Sequence, residues 1–254
     1  MAKLIFLGTS SSIPSVRRDN TALLLRYGNT SLLIDCPGSL VQKLSKAHID
    51  FKKIRRVIIT HHHIDHYYGL FHLIHAQAYI NTKVTIYSNL AVIGLLKTLL
   101  KKMDLTRPRY PKIEFKDVFS KKYFYSHGGL TIRAVKNCHV DDSFGTKISF
   151  RKKNILYSSD TALCSSVIAQ AADCDYLIHD CTASSSYFRR HPRLDEVHTN
   201  AKDLTVTFIR SKIKKIIPVH FLLLRKDEEQ KIKKELKPFG KRLFFPSDFD
   251  VIEF

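Results

Sequence analysis

The chain has 254 residues, 44% hydrophobic and 26% charged, a balance that excludes disordered and fibrous classes and fits one large globular domain. Its 42 Lys and Arg against 23 Asp and Glu leave a net charge of +19. That excess favours polyanionic partners, since each phosphate contact releases condensed counterions, although a well-solvated lysine-rich surface is the plainer alternative. Five scattered cysteines (Cys36, Cys138, Cys164, Cys174, Cys181) contain no CxxC pair. They argue against a disulfide framework and a structural cysteine-zinc site, and make the cytoplasm the default location.

In chain order, Met1–Gly8 carries too short an apolar stretch for a signal peptide and reads as a first strand over Lys3–Leu7. Further strands are expected at Ala22–Arg26, Ser31–Asp35, Arg56–Thr60 and Lys83–Tyr87. Later ones fall at Leu130–Val135, Thr146–Phe150, Asn154–Tyr157, Tyr176–Asp180, Lys215–Val219 and Asp250–Phe254. Helical patterns lie between them at Ser39–Ala47, Gly69–Ala78, Leu90–Lys102, Ala162–Ala171, Asn200–Ser211 and Asp227–Leu236. No apolar run nears the roughly 20 residues needed to span a membrane. Hairpin-like strand pairs with interspersed helices predict an α/β fold of two sheets packed face to face under outer helices. Without an internal repeat or a Pro/Gly-rich linker, residues 1–254 read as a single domain.

The run Thr60-His61-His62-His63-Ile64-Asp65-His66 is the most informative in the chain. Its residues His61, His63, Asp65 and His66 fit a His-x-His-x-Asp-His template, which can serve two metal ions from one loop. The loop follows an apolar, β-branched strand, where a scaffold holds a site rigidly. Further candidate ligands sit at later strand ends: His139, Asp160 and His220. Each alone is more simply a hydrogen-bonded surface residue.

Together and in this order, these residues resemble the metallo-β-lactamase superfamily, and the match runs from Gly8 to His220 and on to the closing strand. The resemblance implies an αββα sandwich with two mixed sheets flanked by helices. It also implies that His61, His63 and His139 hold one metal, that Asp65, His66 and His220 hold a second, and that Asp160 bridges them. Imidazole and carboxylate ligands suit two Zn²⁺, with Mn²⁺ or Fe as competitors. Asp35 matches the superfamily's first motif and would anchor the metal loop by hydrogen bonds. His62 would point away, and His72, His75 and His127 read as structural or surface residues.

Two features resemble ribonuclease Z, the transfer-RNA 3′-processing endonuclease. One is Gly8-Thr9-Ser10-Ser11-Ser12-Ile13-Pro14 with Arg17 and Asn20. The other is His179-Asp180-Cys181-Thr182 with His198-Thr199, similar to that family's His-Glu-Ala-Thr and His-Ser-Thr motifs. By this resemblance Asp180 orients His198 and His198 protonates the leaving oxygen, with Asp65, Asp180 and His198 as catalytic residues. The long arm that such enzymes insert between the positions matching His139 and Asp160 has no room here, since only short strands and Asp141–Gly145 join them. The expectation is therefore a dinuclear metal phosphodiesterase acting on RNA ends, oligonucleotides or cyclic nucleotides. The alternatives are a small-molecule hydrolase of the same fold (cyclic phosphodiester, thioester or lactone) and a non-catalytic nucleic-acid binder. A homodimer is implied by the resemblance alone.

Overall fold

The computed structural model describes residues 1–254, which form two compact units interleaved along the chain. The first comprises Met1–Thr9, Arg17–Phe124 and Ser247–Phe254, and the second Ser10–Val16 and Tyr125–Pro246.

The first unit holds strands β1 (Ala2–Gly8), β2 (Ala22–Tyr27), β3 (Thr30–Ile34), β4 (Arg56–Ile58), β5 (Lys83–Ser88) and β6 (Lys112–Asp117). Its helices are α1 (Leu40–Lys46), α2 (Ile64–Tyr67), α3 (Gly69–Ala76) and α4 (Leu90–Lys102). The chain's last strand, β13 (Val251–Glu253), completes a sheet ordered β13-β1-β2-β3-β4-β5-β6. The β1–β3 side pairs antiparallel, whereas β3 to β6 pair parallel. A parallel strand is covered on both faces, which is why Val57-Ile58-Ile59 is continuously apolar. Leu33, Val57, Val84 and Ile86 of the sheet pack with Leu40, Leu44, Leu70, Leu73 and Leu96 of the helices, all wholly buried. Each such side chain contributes about 1.5–3 kcal/mol on leaving water.

The second unit holds β7 (Tyr125–His127), β8 (Leu130–Lys136), β9 (Phe144–Phe150), β10 (Lys153–Tyr157), β11 (Tyr176–Asp180) and β12 (Lys215–Val219). Its helices are α5 (Ser165–Ala171), α6 (Ser185–Phe188), α7 (Ala201–Phe208) and α8 (Glu228–Leu236). The sheet order is β12-β11-β10-β9-β8-β7, antiparallel from β7 to β10 and parallel from β10 to β12. Leu156, Leu177 and Ile216 meet Val167, Leu204, Phe208, Ile232 and Leu236 in its core. Pro218 sits inside β12 without a donor to offer, and this is tolerated because β12 lies at the sheet edge. The expected mixed α/β class, with two mixed sheets flanked by helices, is what the chain forms.

Element ends differ from the sequence reading where side chains capture the backbone. The strand expected over Arg56–Thr60 stops at Ile58, and the Thr60 amide donates to Asp35 Oδ1 at 2.9 Å. The helix expected from Ala162 begins at Ser165, because Ala162 pairs with Cys138 instead. Strand β6 was not expected: its Lys112-Ile113-Glu114-Phe115-Lys116 alternation is charged, as suits an edge. Strand β7 is only three residues long and joins β8 through Gly128-Gly129, both at positive φ, as a two-residue hairpin loop requires.

Candidate metal centre

In the first unit the His-x-His-x-Asp-His loop leaves β4 and enters α2. His61, Asp65 and His66 are buried, His63 is half-buried and His62 is exposed. The ring centroids of His61 and His63 lie 4.8 Å apart, and those of His61 and His66 4.1 Å. Asp35, wholly buried at the end of β3 with φ 63°, organises this cluster. Its carboxylate accepts from the Thr60 amide at 2.9 Å, from Thr60 Oγ1 at 3.0 and 3.1 Å, and from His66 Nδ1 at 3.0 Å. Burial raises the Asp35 pKa, opposed by His66 and the Thr60 donors. Because Thr60 Oγ1 gives its hydrogen to Asp35, it receives one from His61 Nδ1, 3.1 Å away. The Cys36 amide donates to His66 O at 2.7 Å and the Gly69 amide to Cys36 O at 2.9 Å, clamping the loop to the β3 exit.

The second unit repeats this construction at the ends of β8, β10, β11 and β12. Asp180 is wholly buried and accepts from Thr182 Oγ1 at 2.7 Å, from the Thr161 amide at 3.0 Å and from His198 Nδ1 at 2.7 Å. Thr182 Oγ1, its hydrogen committed to Asp180, receives one from His220 Nδ1 at 3.1 Å. His139 Nδ1 donates to the Val197 carbonyl at 2.8 Å. His220 Nε2 lies 3.0 Å from Asp160 Oδ2, and His139 Nε2 3.8 Å. The His198 ring stacks on His220 with centroids 5.1 Å apart. Donor atoms of Asp160, His198 and His220 lie within 4.8 Å of one another, close enough to hold an ion.

These hydrogen bonds fix tautomers. In His61, His66, His139 and His220 the Nδ1 atom is committed to an oxygen acceptor, so Nε2 carries the lone pair a metal needs. The donor set therefore fits a divalent ion held by imidazole and carboxylate. Asp35, Ser159 and His220, at strand exits on these loops, all adopt positive φ, a strain that clusters at functional sites.

Other residues from the sequence reading stand apart. His72, His75 and His127 are exposed, and His75 Nδ1 meets the Tyr110 hydroxyl at 3.2 Å. Ser10 Oγ and the Ser11 amide both donate to Phe221 O, bracing the backbone next to His220. Thr9 accepts from Arg18 at 2.7 Å and donates to Asp248 at 2.8 Å. Thr60 and Thr182 belong to the two quoted motifs, but nothing in the sequence alone gives either a role. His179 is buried, donates from Nδ1 to Asp180 O at 2.8 Å, and burial holds its pKa below the ordinary value. Between His139 and Asp160 the chain makes only a short loop and the β9–β10 hairpin, with Arg151 at φ 55° in its turn.

The family model described as "Anti-Pycsar protein Apyc1" matches residues 2–235. Ribonuclease Z of Saccharolobus islandicus is 24% identical over 301 aligned positions, covering 99% of each chain. That alignment is longer than this chain's 254 residues, so the relative carries segments absent here. Among solved structures, the metallo-β-lactamase fold protein YhfI of Bacillus subtilis superposes with TM-score 0.82 at 20% identity, over 100% of both chains. Human tRNase Z, short form, gives TM-score 0.78 at 18% identity over 99% of this chain and 98% of its own. A diphosphatase of the PhnP family gives 0.76 at 18% identity over 100% and 97%. The fold is therefore that of the metallo-β-lactamases, and the chain is ribonuclease Z-like.

Proposed function

The chain belongs to the Anti-Pycsar protein Apyc1 family, and we propose that it is a dinuclear metal-dependent phosphodiesterase in which the two units act as one domain. In this reading His61, His63 and His139 hold one divalent ion, Asp65, His66 and His220 hold a second, and Asp160 is shared. The observation that carries it is the paired relay: in each unit a histidine Nδ1 bonds a threonine hydroxyl that bonds a buried carboxylate, His61–Thr60–Asp35 and His220–Thr182–Asp180. Both relays leave Nε2 as the ligating atom. Two Zn²⁺ suit these donors, with Mn²⁺ or Fe as competitors. Bound there, such ions act as Lewis acids toward a phosphoryl oxygen and bring the pKa of a water toward about 7.

The chain's own residues supply the rest. Thr182 and the Thr161 amide hold Asp180, and Asp180 holds His198 by Nδ1, so that Nε2 of His198 is the proton-donating atom. A protonated His198 gives that proton to the departing alkoxide, a step typically worth 10²–10⁴-fold. The relatives named ribonuclease Z and the net charge of +19 support a nucleotide phosphodiester. The β9–β10 hairpin in place of an arm favours small or unconstrained diesters, such as RNA ends, oligonucleotides and cyclic nucleotides, over a whole transfer RNA.

The absence of an arm also supports the second reading, a small-molecule hydrolase for a thioester or lactone. The deciding experiment offers metal-loaded protein a 3′-extended precursor transfer RNA, cyclic mononucleotides, S-lactoylglutathione and a lactone, with Asp65→Ala as control. Diester cleavage lost in the variant supports the proposal, and thioester or lactone turnover that outruns every diester replaces it. A cytoplasmic setting and a homodimer complete the reading; no helix is long and apolar enough to cross a membrane.

A further inference from the structure

Of the five cysteines, Cys36, Cys174 and Cys181 are buried, whereas Cys138 is exposed and Cys164 half-exposed. Those two accessible thiols are neighbours. Cys138 follows β8 and pairs with Ala162: the Ala162 amide donates to Cys138 O at 2.8 Å, and the Cys138 amide donates to Thr161 Oγ1 at 3.0 Å. Two residues further, on the same side of the extended chain, Cys164 brings its thiol toward that of Cys138, and each acts on the other's pKa. Cys164 Sγ also lies 3.3 Å from Ser166 Oγ and 3.9 Å from Thr161 Oγ1. A buried thiol is inert, but two solvent-reached thiols on one side of a bridged pair of segments can be joined.

We propose that Cys138 and Cys164 are a redox-active dithiol that closes to a disulfide under hydrogen peroxide, tying the loop before His139 to the segment after Asp160. Cys164 sulfur attacks one peroxide oxygen; the O–O bond breaks, and the departing hydroxide takes up the thiol proton as water. Cys138 sulfur then displaces the sulfenic oxygen, and its own proton leaves with it as a second water. Two thiols and one peroxide thus become one disulfide and two waters, the sulfurs giving up two electrons. Cys164 suits the attacking role: burial raises its pKa, but Ser166, the Val167 amide, Cys138 and Thr161 outweigh it and bring the thiol below its ordinary value.

The bond, at about 2.05 Å, is shorter than any non-bonded sulfur contact, so closure draws the two segments together. His139 directly follows Cys138, and Asp160 precedes Cys164 by four residues. Closure therefore displaces two of the proposed ligands, a consequence that rests on the ligand assignment above, whereas the bond itself does not.

The test treats metal-loaded protein with stoichiometric peroxide, alkylates it under denaturing conditions, and reads intact mass, tryptic peptides and metal content. The expected result is a loss of about 2 Da and a linked pair joining residues 137–147 to 154–189, reversed by dithiothreitol and absent from Cys164→Ser. Full alkylation of both thiols after peroxide, or the same mass loss in Cys164→Ser, overturns the dithiol. Metal content should fall at least twofold in the linked protein and hold in Cys164→Ser. A linked protein that keeps all its metal overturns the coupling to His139, while the ligand assignment stands or falls separately on the metal content of Asp65→Ala.

Discussion

His198 Nδ1 stands 2.7 Å from Asp180 Oδ2, and the aspartate is wholly buried whereas the histidine side chain keeps 14% of its surface in solvent. A buried carboxylate behind a partly exposed imidazole is an arrangement for delivering a proton outward. His198→Ala should slow diester hydrolysis by about 10²–10⁴-fold while leaving metal content unchanged. Mass-spectrometric metal analysis beside steady-state rates checks it, and full activity in the variant removes the proton-donor role.

The hydroxyl relays should matter as much as some ligands. Thr182→Val keeps volume but removes the hydroxyl through which Asp180 orients His220. Metal affinity should fall by about 10–100-fold, with a comparable loss for Thr60→Val, whose relay runs from Asp35 to His61. Chelator competition measures both, and unchanged affinity in either would show that its relay does not support the site.

Asp65 lies in the first turn of α2, beside His66, its Oδ2 3.4 Å from His66 Nε2. Asp65→Ala should reduce bound metal from two equivalents toward one and abolish diester cleavage. Stripping metal from the unaltered chain should lower its melting temperature, because ions that bind only the folded state stabilise it by mass action. A melting temperature indifferent to chelator would contradict a metal centre.

Gly69, at the start of α3, is there because nothing larger fits: a Cβ would lie 1.8 Å from the Pro37 carbonyl oxygen. Gly69→Ala must push α3 away from the Cys36–Pro37 turn to which the His66 carbonyl is tied. A destabilisation of about 1–3 kcal/mol is expected in urea unfolding. Wild-type stability in this variant would mean that the turn yields freely.

Burial keeps His179 neutral in the folded protein at pH values where the unfolded chain has begun to protonate it. Its folded pKa is lowered, so the stability it supports is whole above about 6.5 and is lost as pH falls below that value toward the folded-state pKa. Chelator-treated wild type should therefore lose more unfolding free energy between pH 8 and pH 5.5 than His179→Gln, which cannot titrate. Parallel losses in the two proteins would assign the acid sensitivity to other groups.

Much of the strand and helix pattern was legible because burial leaves a period. Leu90–Lys102 and Tyr176–Asp180 form as read, one amphipathic with Asn89 capping it at 2.8 Å, the other a buried run. What escaped was local and polar. Strand β6 hides its alternation under lysines at a sheet edge, and Arg56–Thr60 is cut short because Asp35, 25 residues earlier, takes the Thr60 amide from the ladder. No window of sequence contains that contact.

The donor types, their order and their places at strand ends are written in the chain, since ligand chemistry needs particular side chains and a strand exit holds them still. The tautomers came from folding. Thr60 reaches Asp35 across 25 residues, and His220 reaches Thr182 across 38. Which imidazole nitrogen keeps its lone pair is set by whichever oxygen folding brings against the other, and for His66, His139 and His220 that oxygen lies 31, 58 and 38 residues away.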